Sequence, residues 1–169
     1  MQWKTLLVPH DFSAAAGRAF TLALDLAALT GGSVVLLHVS PIPHGLHPDS
    51  KIVPGDSSTP VRIDEYMTAA ARAKLSAVAS ERGVSASILA AASELDPAEV
   101  ILAKAREVRA DVIVMGTHGR SGMRRLLIGS VAERVLRRAG VPVVVTRDPD
   151  EADAEHLREE TAVQDEEDG

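Results

Sequence analysis

Gly116-Thr117-His118-Gly119, a spacer from Arg120 to Ile128, and then Gly129-Ser130 make a loop built for holding phosphate. The glycines let backbone approach an anion closely, and a helix opening after them offers N–H groups with no intrahelical acceptor. Arg120, Arg124 and Arg125 in the spacer either clamp a polyphosphate or form an ordinary solvated surface. Asp11, shortly after the first apolar run, has the chemistry to accept both hydroxyls of a ribose, and it can also cap the helix that follows.

His38, His44, His47 and Asp49 are the residue types of a metal site, but His44-x-x-His47 sits in a Pro-rich stretch with no supporting pattern. Magnesium or manganese arriving with a nucleotide is the better expectation. His10 and His118 each follow a strand and are expected to meet at the crevice, without a visible partner to make either a general base.

These residues need strands to place them. Five apolar runs alternate with helical patterns: Trp3 to Pro9, Ser33 to Val39, Val84 to Ala91, Asp111 to Met115 and Val141 to Thr146. Ser13 is expected to cap the first helix, which buries Phe20, Leu22, Leu24, Leu26 and Leu29 and closes at Gly31-Gly32. Residues 40–59 read as a long irregular loop, and Thr59-Pro60 as the start of a helix running to about Arg82. Asp96-Pro97-Ala98-Glu99 opens a third helix. Ser130, with Glu133 three residues on, reads as the N-cap of a fourth ending near Arg138. Such alternation predicts an α/β fold: an open, mostly parallel five-stranded sheet with helices on both faces.

The chain of 169 residues suits one domain, residues 1–147, followed by an acidic tail over 148–169 that holds 11 of the 24 acidic residues. The tail has too few large apolar residues to fold alone; it reads as a solvated extension or as a competitor for the basic loop. Aromatics at 2% demand an aliphatic, alanine-rich core, and zero cysteines exclude disulfides and thiol chemistry. Without a membrane span or leader pattern, a cytoplasmic protein is expected. A net charge of −6 and few aromatics for stacking argue against nucleic acid.

The chain resembles the universal stress proteins from Lys4 to about Thr146. The resemblance rests on Leu7-Val8-Pro9-x-Asp11-x-Ser13, His38-Val39, Asp111 through Gly119, Gly129-Ser130-Val131-Ala132-Glu133 and Val141-Pro142-Val143-Val144-Val145. Gly116-x-x-Gly119-x9-Gly129-Ser130 matches that family's ATP-binding signature at every fixed position. It implies an adenine nucleotide alpha hydrolase-like fold, an open five-stranded parallel sheet of order 3-2-1-4-5, and an ATP site, with Asp11 on the ribose or adenine edge and Val39 backbone reading the adenine. Pro9 and Met115 would complete the strand ends, and Gly116 and Gly119 would give close approach. Arg120, Gly129, Ser130 and Val131 would hold phosphates. It also implies a homodimer through the fifth strand, Val141–Val145, and an unnamed protein partner.

The function this implies is a nucleotide-dependent sensor or regulator in stress response. The alternatives are a slow ATPase or nucleotidyl-transfer enzyme, and a nucleotide-free dimeric interaction module. Neither a His-x-x-His motif nor a Ser-Gly-Gly-x-Asp-Ser loop follows strand one, where His10-Asp11-Phe12-Ser13 stands, so no catalytic role is assigned.

Overall fold

In a computed structural model, which describes residues 3–55, 58–117 and 128–146, the parallel sheet forms in the expected order. The strands of the sheet are β1 (Thr5–Pro9), β2 (Ser33–Pro41), β5 (Ser87–Ser93), β6 (Val112–Gly116) and β7 (Val143–Thr146). They lie β5-β2-β1-β6-β7, which is 3-2-1-4-5 when counted along the sheet-forming runs. Between β2 and β5, a short antiparallel pair forms from β3 (Lys51–Ile52) and β4 (Val61–Arg62).

Register is set where the strands begin. The Asp111 carboxylate accepts the Lys4 and Thr5 amides at 2.7 and 2.9 Å, and the Asp111 amide donates to the Thr5 carbonyl at 2.9 Å. That clamp aligns Leu6 with Val112 and Leu7 with Ile113. Side chains then alternate across the sheet. Leu6, Val8, Val34, Leu36, Val112 and Val114 face α1 (Ala14–Thr30) and α2 (Ile63–Glu81). Leu7, Val35, Leu37 and Ile113 face α3 (Pro97–Glu107) and α4 (Ser130–Arg138).

Several element boundaries depart from the sequence reading. The α1 helix buries Ala15, Ala16, Ala19, Phe20, Ala23 and Ala27, while Leu22, Leu24 and Leu26 are only partly buried and Leu29 is 83% exposed. An alanine stripe lets the helix lie close on the sheet, and this accounts for a core with so few aromatics. Ser13 caps α1 by accepting the Ala16 amide at 3.2 Å, and Gly31 ends it in the left-handed conformation at φ 65°.

The α2 helix does not begin at Thr59-Pro60, because Val61 and Arg62 are extended and pair with Ile52 and Lys51. Residues 40–59 are likewise not wholly irregular: β2 runs on to Pro41, and Lys51–Ile52 is a strand. The third sheet strand starts at Ser87, aligned with Val35, and extends to Ser93 opposite Pro41. At α4, Gly129 is the N-cap and Ser130 is already helical. The expected capping box does not form, and the Glu133 carboxylate instead meets Arg137 one turn on, at 3.0 Å. Among the described residues no helix is long and apolar enough to cross a membrane.

Candidate functional site: the crevice at the strand ends

The chain leaves β1 in both directions across the sheet, first outward through β2 and β5, later through β6 and β7. The switch lies between β1 and β6, where loops diverge to opposite faces and a crevice opens past the carboxyl ends. A cavity of about 410 Å³ occupies it. Pro9 and Asp11 come to it from β1 and its turn, Val39 from β2, and Met115 and Gly116 from β6. Gly129, Ser130 and Val131 close the opposite wall at the start of α4. Gly119, Arg120, Arg124, Arg125, His118 and the 148–169 tail lie outside the described residues.

The turn after β1 is held by its own polar groups. Asp11 Oδ1 accepts the Ser13 amide at 3.0 Å and the Ser13 hydroxyl at 2.6 Å, while Ser13 caps α1. Asp11 is thus the brace of the turn, and its carboxylate also lines the crevice. Phe12 adopts φ 67°, a conformation costly for a residue with a side chain. The His10 ring holds that turn, with Nδ1 accepting the Phe12 amide at 3.1 Å.

Among the described residues His10 meets His38, and the expected meeting with His118 lies outside them. His38 Nδ1 donates to the His10 carbonyl at 2.7 Å, bonding the end of β2 to the turn after β1. The His10 imidazole is 5% exposed and faces Phe12 and Phe20. Burial drives its pKa down to about 4, with Arg82 and His38 adding to the fall and Asp11 opposing it.

Gly116 lines the crevice and also has a use in packing. A Cβ there would stand 2.7 Å from Ala15 Cβ and 2.9 Å from the Ala15 carbonyl carbon. Only glycine lets the end of β6 pass so near the start of α1. Beyond it, the Thr117 amide donates to Thr146 at 2.8 Å and the Gly129 amide to Thr117 at 2.6 Å, so both ends of the glycine loop are tied to the sheet edge.

The start of α4 differs from those of its neighbours. Ser13 caps α1 and Asp96 caps α3, accepting the Ala98 amide at 2.9 Å, whereas among the described residues no side chain caps α4. Its first N–H groups keep the partial positive charge of a helix N-terminus at the wall of the crevice. Ion pairs fix this helix in place: Arg134 meets Asp96 and Arg138 meets Glu99, both residues of the first turn of α3 or its cap.

Pro41, Ile101 and Thr117 also line the cavity; Thr117 is a spacer of the glycine motif to which no role was given, and Pro41 and Ile101 stand outside the motifs. Ile101 was recognisable as an apolar helix position, but its place at the crevice depends on how α3 packs over β2. Of the residues considered for a metal, Asp49 pairs with Arg62 at 2.7 Å and lies 3.6 Å from His47 Nδ1. Among the described residues no three His, Cys, Asp or Glu side chains gather closely enough to hold a metal ion.

An open parallel sheet with helices on both faces and a crevice at the switch point defines an α/β protein of the doubly wound class. Residues 2–147 match the model of the universal stress protein family, and the chain belongs to that family. It is similar to the universal stress protein MJ0577 of Methanocaldococcus jannaschii, at 26% identity over 87% of this chain and 96% of that one. A shorter segment of 53 residues is 51% identical to MJ0531 of the same organism, spanning 31% of each chain. The solved structure of MJ0577 shares the fold, with a TM-score of 0.64 at 24% identity over 88% of this chain and 98% of that one. A universal stress protein from Archaeoglobus fulgidus, solved in complex with dAMP, aligns with a TM-score of 0.58 at 26% identity, covering 86% and 99%.

Proposed function

We propose that this chain is an adenine-nucleotide-binding regulator that takes ATP, with magnesium or manganese, in the β1/β6 crevice. The observation that carries the reading is the uncapped start of α4 facing a carboxylate across one cavity. Backbone N–H groups of Ser130 and Val131 suit the phosphates, and Asp11 suits the ribose hydroxyls. Val39, Met115 and Ile101 offer an apolar seat for the base, with Val39 backbone at its polar edge. The glycine loop, with Gly119 and Arg120, belongs to the same reading through the signature it completes. The dAMP-bound relative supports an adenine nucleotide in this family.

A sensing role fits the chemistry of the crevice better than turnover. The His10 ring supports the Phe12 turn from the far face of the sheet, and His38 spends Nδ1 on a backbone carbonyl. The signal passed on is a change in association, with the β7 edge of a homodimer as one place for it and a protein partner as another. The setting is the cytoplasm under stress. Isothermal titration of ATP with Mg²⁺ tests the reading: saturable binding at one site per chain is expected, weakened at least tenfold in Gly129→Val. No heat of binding to the intact chain would overturn it.

A further inference from the structure

A second cavity of about 400 Å³ lies on the opposite face of the sheet from the helix start of α4, between α1 and the end of α2. His10 forms its floor. Strand alternation carries the side chain after Pro9 to the α1/α2 face, and the ring's contacts with Phe12 and Phe20 agree. Because Nδ1 accepts the Phe12 amide, the ring proton belongs on Nε2. That N–H is buried and has no hydrogen-bond partner among the described residues. A buried donor left unmatched is costly, and such atoms call for an acceptor.

The walls supply charge and room. The Arg82 guanidinium stands 5.1 Å over the Phe20 ring and donates to the Val78 carbonyl at 3.2 Å, so its position is fixed from two sides. Arg18 adds a second guanidinium and Glu81 one carboxylate, leaving the lining with an excess of positive charge. Gly17 sits inside α1, where glycine is the poorest helix former except proline. Nothing in the backbone requires it there: its φ is not positive, and an added Cβ would touch only Arg82 Nη2, at 3.4 Å. What the missing side chain leaves is open cavity.

We propose that this cavity binds a small organic anion, its carboxylate or phosphate oxygen accepting the His10 Nε2 proton beside Arg82 and its apolar part lying against Phe12 and Val78. At about 400 Å³ it has the size of a small-molecule site. The site shares His10 and Ser13 with the lining of the nucleotide crevice but opens on the α1/α2 side, and the proposal does not depend on ATP binding in the crevice.

The test follows the His10 imidazole N–H by NMR in the full chain, without nucleotide, while benzoate or phenyl phosphate is added. A saturable shift of that resonance with at least one probe is expected. A response to benzoate alone assigns a carboxylate, and to phenyl phosphate alone a phosphate. Gly17→Leu, which fills the cavity, and Arg82→Gln, which removes the charge, should each weaken it about tenfold or more. If Gly17→Leu does not fold, Arg82→Gln decides alone. A resonance unmoved by either probe, leaving water as the acceptor, would overturn the proposal. So would a response that survives Arg82→Gln unchanged, or one that ATP abolishes by direct competition.

Discussion

Asp11 braces the turn after β1 and is the residue proposed to hold the ribose, and the two duties separate by substitution. One oxygen braces the turn through Ser13, so Asp11→Ala removes a support of the α1 cap as well as the carboxylate at the crevice. It should cost about 1 kcal/mol in urea denaturation, along with nucleotide affinity. Asp11→Asn keeps an acceptor for Ser13 and should lose affinity with little change in stability, the mark of a ligand contact. Gly116 is the converse, a motif residue whose necessity lies in packing. Gly116→Ala forces Cβ against Ala15 and should destabilise by about 1–3 kcal/mol, read as a lower denaturation midpoint. His10 gives a pH dependence. Its native pKa of about 4 lies below the ordinary value of 6.5, so between these the unfolded chain binds the proton and the folded one does not. Stability from this group is full above pH 6.5 and is lost as pH falls toward 4. His10→Gln should remove on the order of 2 kcal/mol of that acid sensitivity, after allowance for solvent screening.

At the scale of elements, the start of the fourth helix forms the wall proposed for the phosphates, and α3 holds the fourth helix. Asp96 serves both as the cap of α3 and as the partner of Arg134. Asp96→Ala should therefore lower stability by about 1 kcal/mol through the lost cap. It should also weaken ATP binding by a few-fold through a less fixed α4, measurable by titration. Caps that use side chains were legible in advance: Ser13 and Asp96 lie where their residue types and the following pattern put them. Ser130 looked like the same kind of signal and is not, because Gly129 takes the cap position and Glu133 turns to Arg137. A local pattern states what a cap can do; which residue is taken depends on how the preceding loop is tied, here through the Gly129 amide on Thr117. The same limit hid the pairing of Val61–Arg62 with Lys51–Ile52, since two-residue strands have no periodicity to read. The leucines of α1 were misjudged for a related reason. Alanines carry little hydrophobic signal, yet they are the residues that let the helix approach the sheet.

At the scale of the whole molecule, the order β5-β2-β1-β6-β7 gathers the carboxyl ends of the central strands at one rim. Residues as distant in sequence as Asp11, Val39 and Ser130 thereby face one cavity. The parallel sheet was readable from the strict alternation of strands and helices, while the neighbouring of the first and fourth sheet strands, which brings the strand-end motifs together, came from the family resemblance. The meeting of His10 with His38, and the cavity behind them, were not readable. They depend on how the Phe12 turn folds and on the gap Gly17 leaves between two helices. The central claim is that the front crevice is the seat of an adenine nucleotide. A crystal structure of the full chain grown with ATP and Mg²⁺ tests it most directly. The account predicts phosphates at the start of α4, ribose at Asp11 and the base beside Val39; well-ordered crystals with that crevice free of nucleotide, or with ATP bound elsewhere, would contradict it.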